Sequence, residues 1–367
     1  MIEHDEWGPE LIYEVYDPKK GYHGFTVIDN LALGVGKGGI RMTPSVSVEE
    51  VFRLARTMTW KNAMAGLPFG GAKSGIVGSK GESLEERKKK VQWFGKALRP
   101  ICPSIYIAGP DVSTTEREMG WFAKANGTMK ASTGKPKRMG GIPHELGSTG
   151  FGVFHSTLIA LKHLGMKPKT TKFAIEGFGN VGMFVAKFLS GVKGNVVAVS
   201  DSKGVIYNEN GIKFNQLKKI KEKTGSVINY KPGNVLKNEK LFELPIDVII
   251  SAALPDSINQ KNVNKIKAKI VVEGGNITMQ EKYEEILHKR NILVVPDFVA
   301  NAGGVISSYI EWKGGTPKQM FRLVENKIKR NTKSVLDHAK KERISPRKAA
   351  LEITEERVKR AMQKRNL

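Results

Sequence analysis

The chain has 367 residues and 40% hydrophobic content, enough for two domains of about 100–200 residues each. Its single cysteine, Cys102, excludes an intrachain disulfide; with no run of about 18 apolar residues and no signal-type apolar core behind the acidic N-terminus, the reading is a cytoplasmic chain without a membrane span. The formal net charge is +24, but the lysines are interleaved with glutamates and neither zinc-ligand spacing nor an RNP-type aromatic motif occurs, so no metal and no nucleic-acid partner is expected, and the field serves to draw in small anions.

In chain order, Phe25–Asn30 reads as a strand, and Val48–Met58 has helical spacing with Ser47 as its N-cap. Next comes the most informative stretch, in which Lys61 and Lys73 bracket a segment containing Gly66, Gly70 and Gly71, with Gly75 two residues beyond Lys73. Glycines let backbone close around the Lys73 amine. Two ammonium groups held near each other out of water have lowered pKa values and can do acid–base work on a carbonyl or imine carbon. Asp111 follows Pro110, a common turn pair that also offers a carboxylate partner to an amine. Met139-Gly140-Gly141-Ile142-Pro143 is a domain boundary by composition, and a helix is predicted over Gly152–Leu164.

From residue 172 strands and helices alternate. Strands are predicted at Phe173–Glu176, Asn195–Ser200, Ile246–Ser251, Ile270–Glu273 and Ile292–Pro296, a helix at Val181–Ser190, and a charged helical tail from about residue 318. This is the pattern of a doubly wound α/β sheet. Gly177-Phe178-Gly179-Asn180-Val181-Gly182 fits G-x-G-x-x-G between strand and helix, and Asp201 lies 24 residues after Gly177, close to the roughly 20 of a dinucleotide fingerprint. Gly177 makes the turn, Gly179 admits the pyrophosphate, Gly182 lets helix and strand pack, and the helix N-terminus at Asn180 and Val181 faces the phosphates. Asp201 is expected to accept the adenosine ribose hydroxyls, which favours NAD; Lys203 keeps NADP open.

These motifs occur in order with Lys37-Gly38-Gly39-Ile40-Arg41, Gly109-Pro110-Asp111-Val112, Gly147-Ser148-Thr149-Gly150-Phe151-Gly152, Val272-Glu273-Gly274-Gly275-Asn276 and the segment Pro296–Ser308. From about Leu31 to about Trp312 the chain resembles the glutamate/leucine/phenylalanine/valine dehydrogenase family. The resemblance implies NAD- or NADP-dependent oxidative deamination of an L-amino acid to its 2-oxo acid and ammonia. It implies that Lys61 grips the α-carboxylate, that Lys73 activates water and that Asp111 shuttles protons. Thr149 would bind the nicotinamide carboxamide, Asn276 would lie near the nicotinamide ribose and Asn301 would line the substrate pocket. Lys37 and Ser308 stand where the glutamate branch binds the distal carboxylate, so glutamate and 2-oxoglutarate are the expected substrates. The competing readings are an apolar amino-acid dehydrogenase and a non-catalytic regulatory or nucleic-acid-binding descendant.

The implied architecture is an α/β protein of two domains. Residues 1–143 would form a substrate-binding and oligomerisation domain to which about 331–367 returns, and 144–330 a Rossmann-like domain. The implied assembly is a homo-oligomer, a hexamer ahead of an octamer or dimer; the stretch before Lys37 is shorter than is usual in the glutamate branch, which leaves the subunit count open. The chain departs from the family pattern at Ser74, at Gly275 and in the segment around His144, which lacks an arginine.

Overall fold

The computed structural model describes residue 2 and residues 4–143 and 146–365; the departure around His144 lies partly outside the described residues. The chain separates into two units: Met1–Leu146 with Val305–Met320 and Thr354–Leu367, and Gly147–Gly304 with Phe321–Ile353.

The first unit is built on a six-stranded mixed sheet. Its strands are β1 (Leu11–Asp17), β2 (Tyr22–Asn30), β3 (Gly36–Lys37), β4 (Ile40–Thr43), β5 (Gly70–Val77) and β6 (Tyr106–Ile107), in the order β1-β2-β5-β3-β6 with β4 also pairing with β5. Helices α1 (Val48–Met64), α2 (Leu84–Ala97) and α3 (Glu116–Asn126) belong to the same unit. As expected, Ser47 caps α1, accepting the Glu50 N–H at 3.2 Å, and Glu49 and Glu50 in the first turn suit the helix dipole. The helix continues past the predicted Met58 because its last turns rest on β5. A Cβ at Gly71 would lie 1.9 Å from Thr59 Oγ1 and 2.4 Å from Thr59 N, so glycine alone permits this approach.

The second unit begins with α4 (Ser148–His163). It continues through β7 (Lys172–Glu176), α5 (Asn180–Gly191), β8 (Asn195–Asp201), β9 (Gly204–Tyr207), α6 (Phe214–Thr224), β10 (Asn234–Leu236), β11 (Val248–Ser251), β12 (Ile270–Glu273), α7 (Glu281–Lys289), β13 (Leu293–Val295) and α8 (Asp297–Ala300). The sheet order is β10-β9-β8-β7-β11-β12-β13. The five strands β8, β7, β11, β12 and β13 are parallel, and β9 and β10 extend the sheet antiparallel. All four residues of β11 and of β12 are buried, as strands covered on both faces require. Strand order reverses at β7, between β8 and β11. In open parallel sheets that switch point is where ligands sit, outside the carboxyl ends of the strands.

The tail divides differently from the expected break near residue 331. Helices α9 (Gly303–Trp312), α10 (Pro317–Glu342) and α11 (Pro346–Arg365) complete the chain, and residue 331 falls inside α10. Val305–Met320 joins the first unit, where Tyr309 and Trp312 meet Phe69 edge-on at 5.7 and 5.4 Å. Phe321–Ile353 stays with the second, where Phe321 meets Phe151 at 5.0 Å and Arg347 pairs with Glu273, Glu284 and Asp297.

Within the second unit, His155 on α4 is buried among Phe151 and Phe154, at ring distances of 4.3 and 5.0 Å. Neither ring nitrogen has a hydrogen-bond partner. Burial pushes its pKa down to about 4 against the opposing pull of Glu325. The imidazole is therefore neutral in the fold, while the unfolded chain takes a proton near pH 6.5. The corresponding stability is complete above about pH 6.5 and is lost as the pH falls toward 4. His155→Leu is expected to remove this loss. Between pH 7.5 and 5 the wild type should lose at least about 3 °C more in Tm than the variant, measured by scanning calorimetry; parallel losses would exclude the mechanism.

Candidate active site

The first constellation is set by the strands β3, β4 and β5 and the turn after β6. Lys73 is central in β5, 6% exposed, and its Nζ lies 3.1 Å from Asp111 Oδ1. The other carboxylate oxygen, Oδ2, accepts from Arg41 Nε of β4 at 2.9 Å, and Arg41 also pairs with Glu50 of α1. Asp111 is in addition the turn residue its neighbour Pro110 suggests: its N–H donates to Thr114 Oγ1 at 2.9 Å. Gly39 makes room for it, since a Cβ there would lie 2.8 Å from the Asp111 Cβ. Ser74 meets the Thr26 hydroxyl at 2.8 Å and so has a packing reason of its own.

Burial depresses the Lys73 pKa, Asp111 opposes this, and Arg41 adds a further depression. Arg41, which the sequence reading did not assign, is a cation that acts on Lys73 in this way. For Asp111 burial acts upward, but Lys73 and Arg41 together outweigh it and hold the carboxyl below its ordinary range. The pair is thus an ammonium that releases its proton easily and a carboxylate that stays ionised.

Lys37, on β3 next to β5, is 3% exposed. Its Nζ donates to the Ala108 carbonyl at 3.0 Å. Burial pushes its pKa down to about 7; Glu311 opposes this and Lys135 and Lys73 reinforce it. Lys37 Nζ and Thr133 Oγ1 both border Gly109, 2.7 and 3.7 Å from where a Cβ would stand. Thr133 is fully buried and its hydroxyl has no hydrogen-bond partner. Glu311 on α9 accepts from the Gly134 and Ile142 N–H groups, each at 2.9 Å, and from Lys135 Nζ at 2.7 Å. Ser308 lies one turn before Glu311 on the same helix face, half-buried. Lys61 is half-buried in the last turn of α1. The next residue, Asn62, ties that turn to β5, donating to the Gly70 carbonyl at 2.8 Å.

The second constellation lies at the carboxyl ends of β7, β8 and β11, around a cavity of about 860 Å³ bordered by Gly177, Gly179, Ser200, Asp201 and Ala252. Gly177 has φ +90°, and a Cβ at Gly182 would lie 1.9 Å from the Gly177 carbonyl oxygen. Both glycines are therefore demanded by the turn. Gly179 is different: nothing lies within 4 Å of its Cβ position, and no side chain caps α5. The protein's own packing gives no reason for glycine there; an anion approaching Asn180 and Val181 at the helix start does. The donor set and the space fit a dinucleotide pyrophosphate.

Asp201 does not stand ready for a ribose. Its Oδ1 accepts from Lys203 N at 2.9 Å and Ser226 Oγ at 3.1 Å. Its Oδ2 accepts from Lys221 Nζ at 2.7 Å and Val227 N at 2.8 Å. A carboxylate has about four acceptor positions, and all four are filled. The expectation that Asp201 favours NAD loses its basis, because the segment 221–227 folds back over it. Thr149 sits in the first turn of α4, but Gly147 is the N-cap, so capping does not explain it; its hydroxyl lies 3.1 Å from the Cβ position of Gly304. Asn301 donates through Nδ2 to the Gly275 carbonyl and to Asn276 Oδ1, each at 2.9 Å.

The sequence reading missed Arg41, although it lies in a quoted motif, and Glu50, Thr133, Lys135 and Glu311. Thr133-Gly134-Lys135-Pro136 carries the signal for two of these: a polar, glycine-containing segment before the domain boundary, with a lysine that the fold buries.

Known proteins resemble this chain over most of its length. Residues 9–127 match the family described as Glu/Leu/Phe/Val dehydrogenase, dimerisation domain, and residues 140–366 match Glutamate/Leucine/Phenylalanine/Valine dehydrogenase. The glutamate dehydrogenase of Aeropyrum pernix is 40% identical, covering 94% of this chain and 87% of its own. The NADP-specific glutamate dehydrogenase of Saccharolobus shibatae is 35% identical, covering 95% and 86%. The hetero-hexameric glutamate dehydrogenase of Thermus thermophilus, solved with leucine bound, superposes with a TM-score of 0.87 at 28% identity, over 98% of this chain and 90% of that one. The chain belongs to the glutamate/leucine/phenylalanine/valine dehydrogenase family, a family of amino-acid dehydrogenases that use a nicotinamide cofactor.

Proposed function

We infer that the chain catalyses the reversible oxidative deamination of L-glutamate to 2-oxoglutarate and ammonia, with the first unit holding the amino acid and the second the dinucleotide. The observation that carries the choice of glutamate is the buried Lys37 amine beside the unpartnered Thr133 hydroxyl. A distal carboxylate entering there gains a cation and a donor. An apolar side chain would leave both without partners, at a cost of several kcal/mol. Ser308 adds a second hydroxyl from α9, and Asn301 orders the substrate-side turn. The two relatives named glutamate dehydrogenase support the same assignment.

In the oxidative direction Lys61 holds the α-carboxylate. A nicotinamide cofactor held in the second unit would supply the acceptor for the hydride of the substrate Cα, whose loss would leave a protonated imine. Lys73, its pKa lowered by burial, takes a proton from water as the water oxygen bonds to the imine carbon. Asp111 takes a proton from the substrate ammonium before hydride loss and returns one to the nitrogen of the carbinolamine. Lys73 passes its first proton to solvent and takes the carbinolamine hydroxyl proton as the C–N bond breaks, so that the carbonyl forms and ammonia leaves. Thr149 and Asn276 orient the nicotinamide half, while Gly177, Gly179, Asn180, Val181 and Gly182 hold the pyrophosphate. Because Lys221 neutralises Asp201, a 2′-phosphate meets a cation there, and we read the chain as accepting NADP as well as NAD. The assembly we assign is a homo-hexamer.

Steady-state assays with glutamate against leucine, each with NAD and NADP, test the assignment. Glutamate is expected to be oxidised and leucine to be poor; the reverse order would move the chain to the apolar branch. Lys73→Ala should abolish turnover while nucleotide still binds. Lys37→Leu should lower kcat/KM for 2-oxoglutarate by ~100-fold or more, and an unchanged value would remove Lys37 from the distal-carboxylate site. Arg41→Met removes one of the two cations that keep Asp111 ionised. The acidic limb of the kcat/KM profile should therefore move up by about one pH unit. An unmoved limb would show that Arg41 does not act through Asp111.

A further inference from the structure

A buried charge cluster outside the reacting groups lies in the second unit. Arg347, from the first turn of α11, pairs with Glu284 of α7, with Glu273 Oε2 at the end of β12, and with Asp297 Oδ1 at the start of α8, the last two at 3.1 Å. Glu273, Glu284 and Asp297 are 0%, 1% and 5% exposed. One guanidinium thus faces three carboxylates out of water. Burial pushes Glu284 up to about 7 with Arg347 opposing, and pushes Glu273 up with Glu284 and Asp297 reinforcing. Such a cluster is costly to assemble, and hydrophobic packing is often no less stable in its place.

Asp297 Oδ1 also accepts the adjacent Phe298 N–H at 2.9 Å, and two further bonds run to one turn. Asp297 Oδ2 accepts the Ile277 N–H at 2.9 Å. Glu273 Oε1 accepts from Thr278 Oγ1 at 2.7 Å, and Glu273 Oε2 accepts the Asp297 N–H at 3.1 Å. Ile277 itself has φ +52° and is 45% exposed. A β-branched residue in that region is strained by about 1–3 kcal/mol and persists only where its surroundings over-determine it. The neighbouring residue is Asn276, whose Oδ1 is held by Asn301. The cluster therefore holds a strained turn from below, and the turn presents Asn276.

We propose that Arg347 is a positioning residue for nucleotide binding: through Asp297 and Glu273 it fixes the Gly274–Thr278 turn so that Asn276 meets the nicotinamide half of the dinucleotide. This rests on the reading of Asn276 given above. It extends that reading to a residue about 70 positions later in the chain that touches neither substrate nor cofactor.

The test compares two probes on the full-length protein, NADPH and ADP, the latter lacking the nicotinamide half. In Arg347→Met the Kd and KM for NADPH should rise at least ~10-fold, while the Kd for ADP and the KM for 2-oxoglutarate stay within about two-fold. Arg347→Lys should recover part of the loss. Asp297→Asn, which keeps the side-chain shape but weakens both the Arg347 pair and the Ile277 contact, should show the same selective loss if the methionine variant fails to fold. Equal weakening of NADPH and ADP, or no change in either, would overturn the proposal. A wild type that binds neither nucleotide would instead overturn the functional reading beneath it.

Discussion

The approach of α1 to β5 at Gly71 is the constraint on which the first unit depends. With Thr59 Oγ1 where a Cβ would stand, the helix lies directly on the strand, and no side chain separates them. Lys61 and Asn62 are thereby brought to the strand that carries Lys73, and water is kept from its amine. The same requirement recurs at Gly109, which leaves space for the Lys37 amine, and at Gly39, which admits Asp111. Depressed lysine pKa values follow from this geometry. Burial is the largest cause for both Lys37 and Lys73, and burial is what the glycines secure.

Charge inside the unit is organised by partners of unequal number. Asp111 has two cations and stays ionised, whereas Lys37 donates to a carbonyl and has an uncommitted hydroxyl nearby. Lys135, by contrast, has Glu311 and the Ser132 carbonyl and is spent on structure. These three buried lysines thus divide by their acceptors. The one with a carboxylate that also meets Arg41 is fitted to exchange protons, the one without a carboxylate is fitted to bind an anion, and the one fully paired anchors α9. A side chain's chemistry here is set less by its type than by what the fold leaves unsatisfied around it.

What the sequence made legible follows the range of the signals. The strands of the second sheet and α5 agree with the expected ones to within two residues at most of their ends, because apolar runs and glycine turns are local. Lys73 and Asp111 were legible as a pair through the motifs that contain them. Arg41 was not, since its partner Glu50 belongs to a helix whose packing angle no local pattern encodes. Asp201 was legible by its position at a strand end but not by its contacts: the four groups on its oxygens come from Lys203, Lys221, Ser226 and Val227, most of them more than twenty residues away or arriving through backbone N–H groups that composition does not reveal. The tail was legible as helical but not in its path, because the path depends on Glu311 and Arg347 finding buried partners at sequence separations of 169 and 74.

The formal charge of +24 describes the surface and says little about the interior. Many of the charges stand on exposed helix faces in i,i+4 pairs such as Lys89–Glu85, Lys218–Glu222 and Arg360–Glu356, which are neutral as pairs and add at most about 0.5 kcal/mol each. Around Arg347 the sign inverts, with three carboxylates converging on one cation in the middle of a basic protein. Random placement would not produce that cluster, and stability alone does not require it, since desolvating ionised groups opposes folding and a packed apolar substitute is often as good. A cluster of this kind does supply direction. Each carboxylate oxygen fixes a particular N–H or O–H, and a turn strained at Ile277 needs fixed partners more than it needs buried area. The ion cluster is therefore best understood with the turn it supports: the charges cost stability, and the precision they impose falls on Asn276.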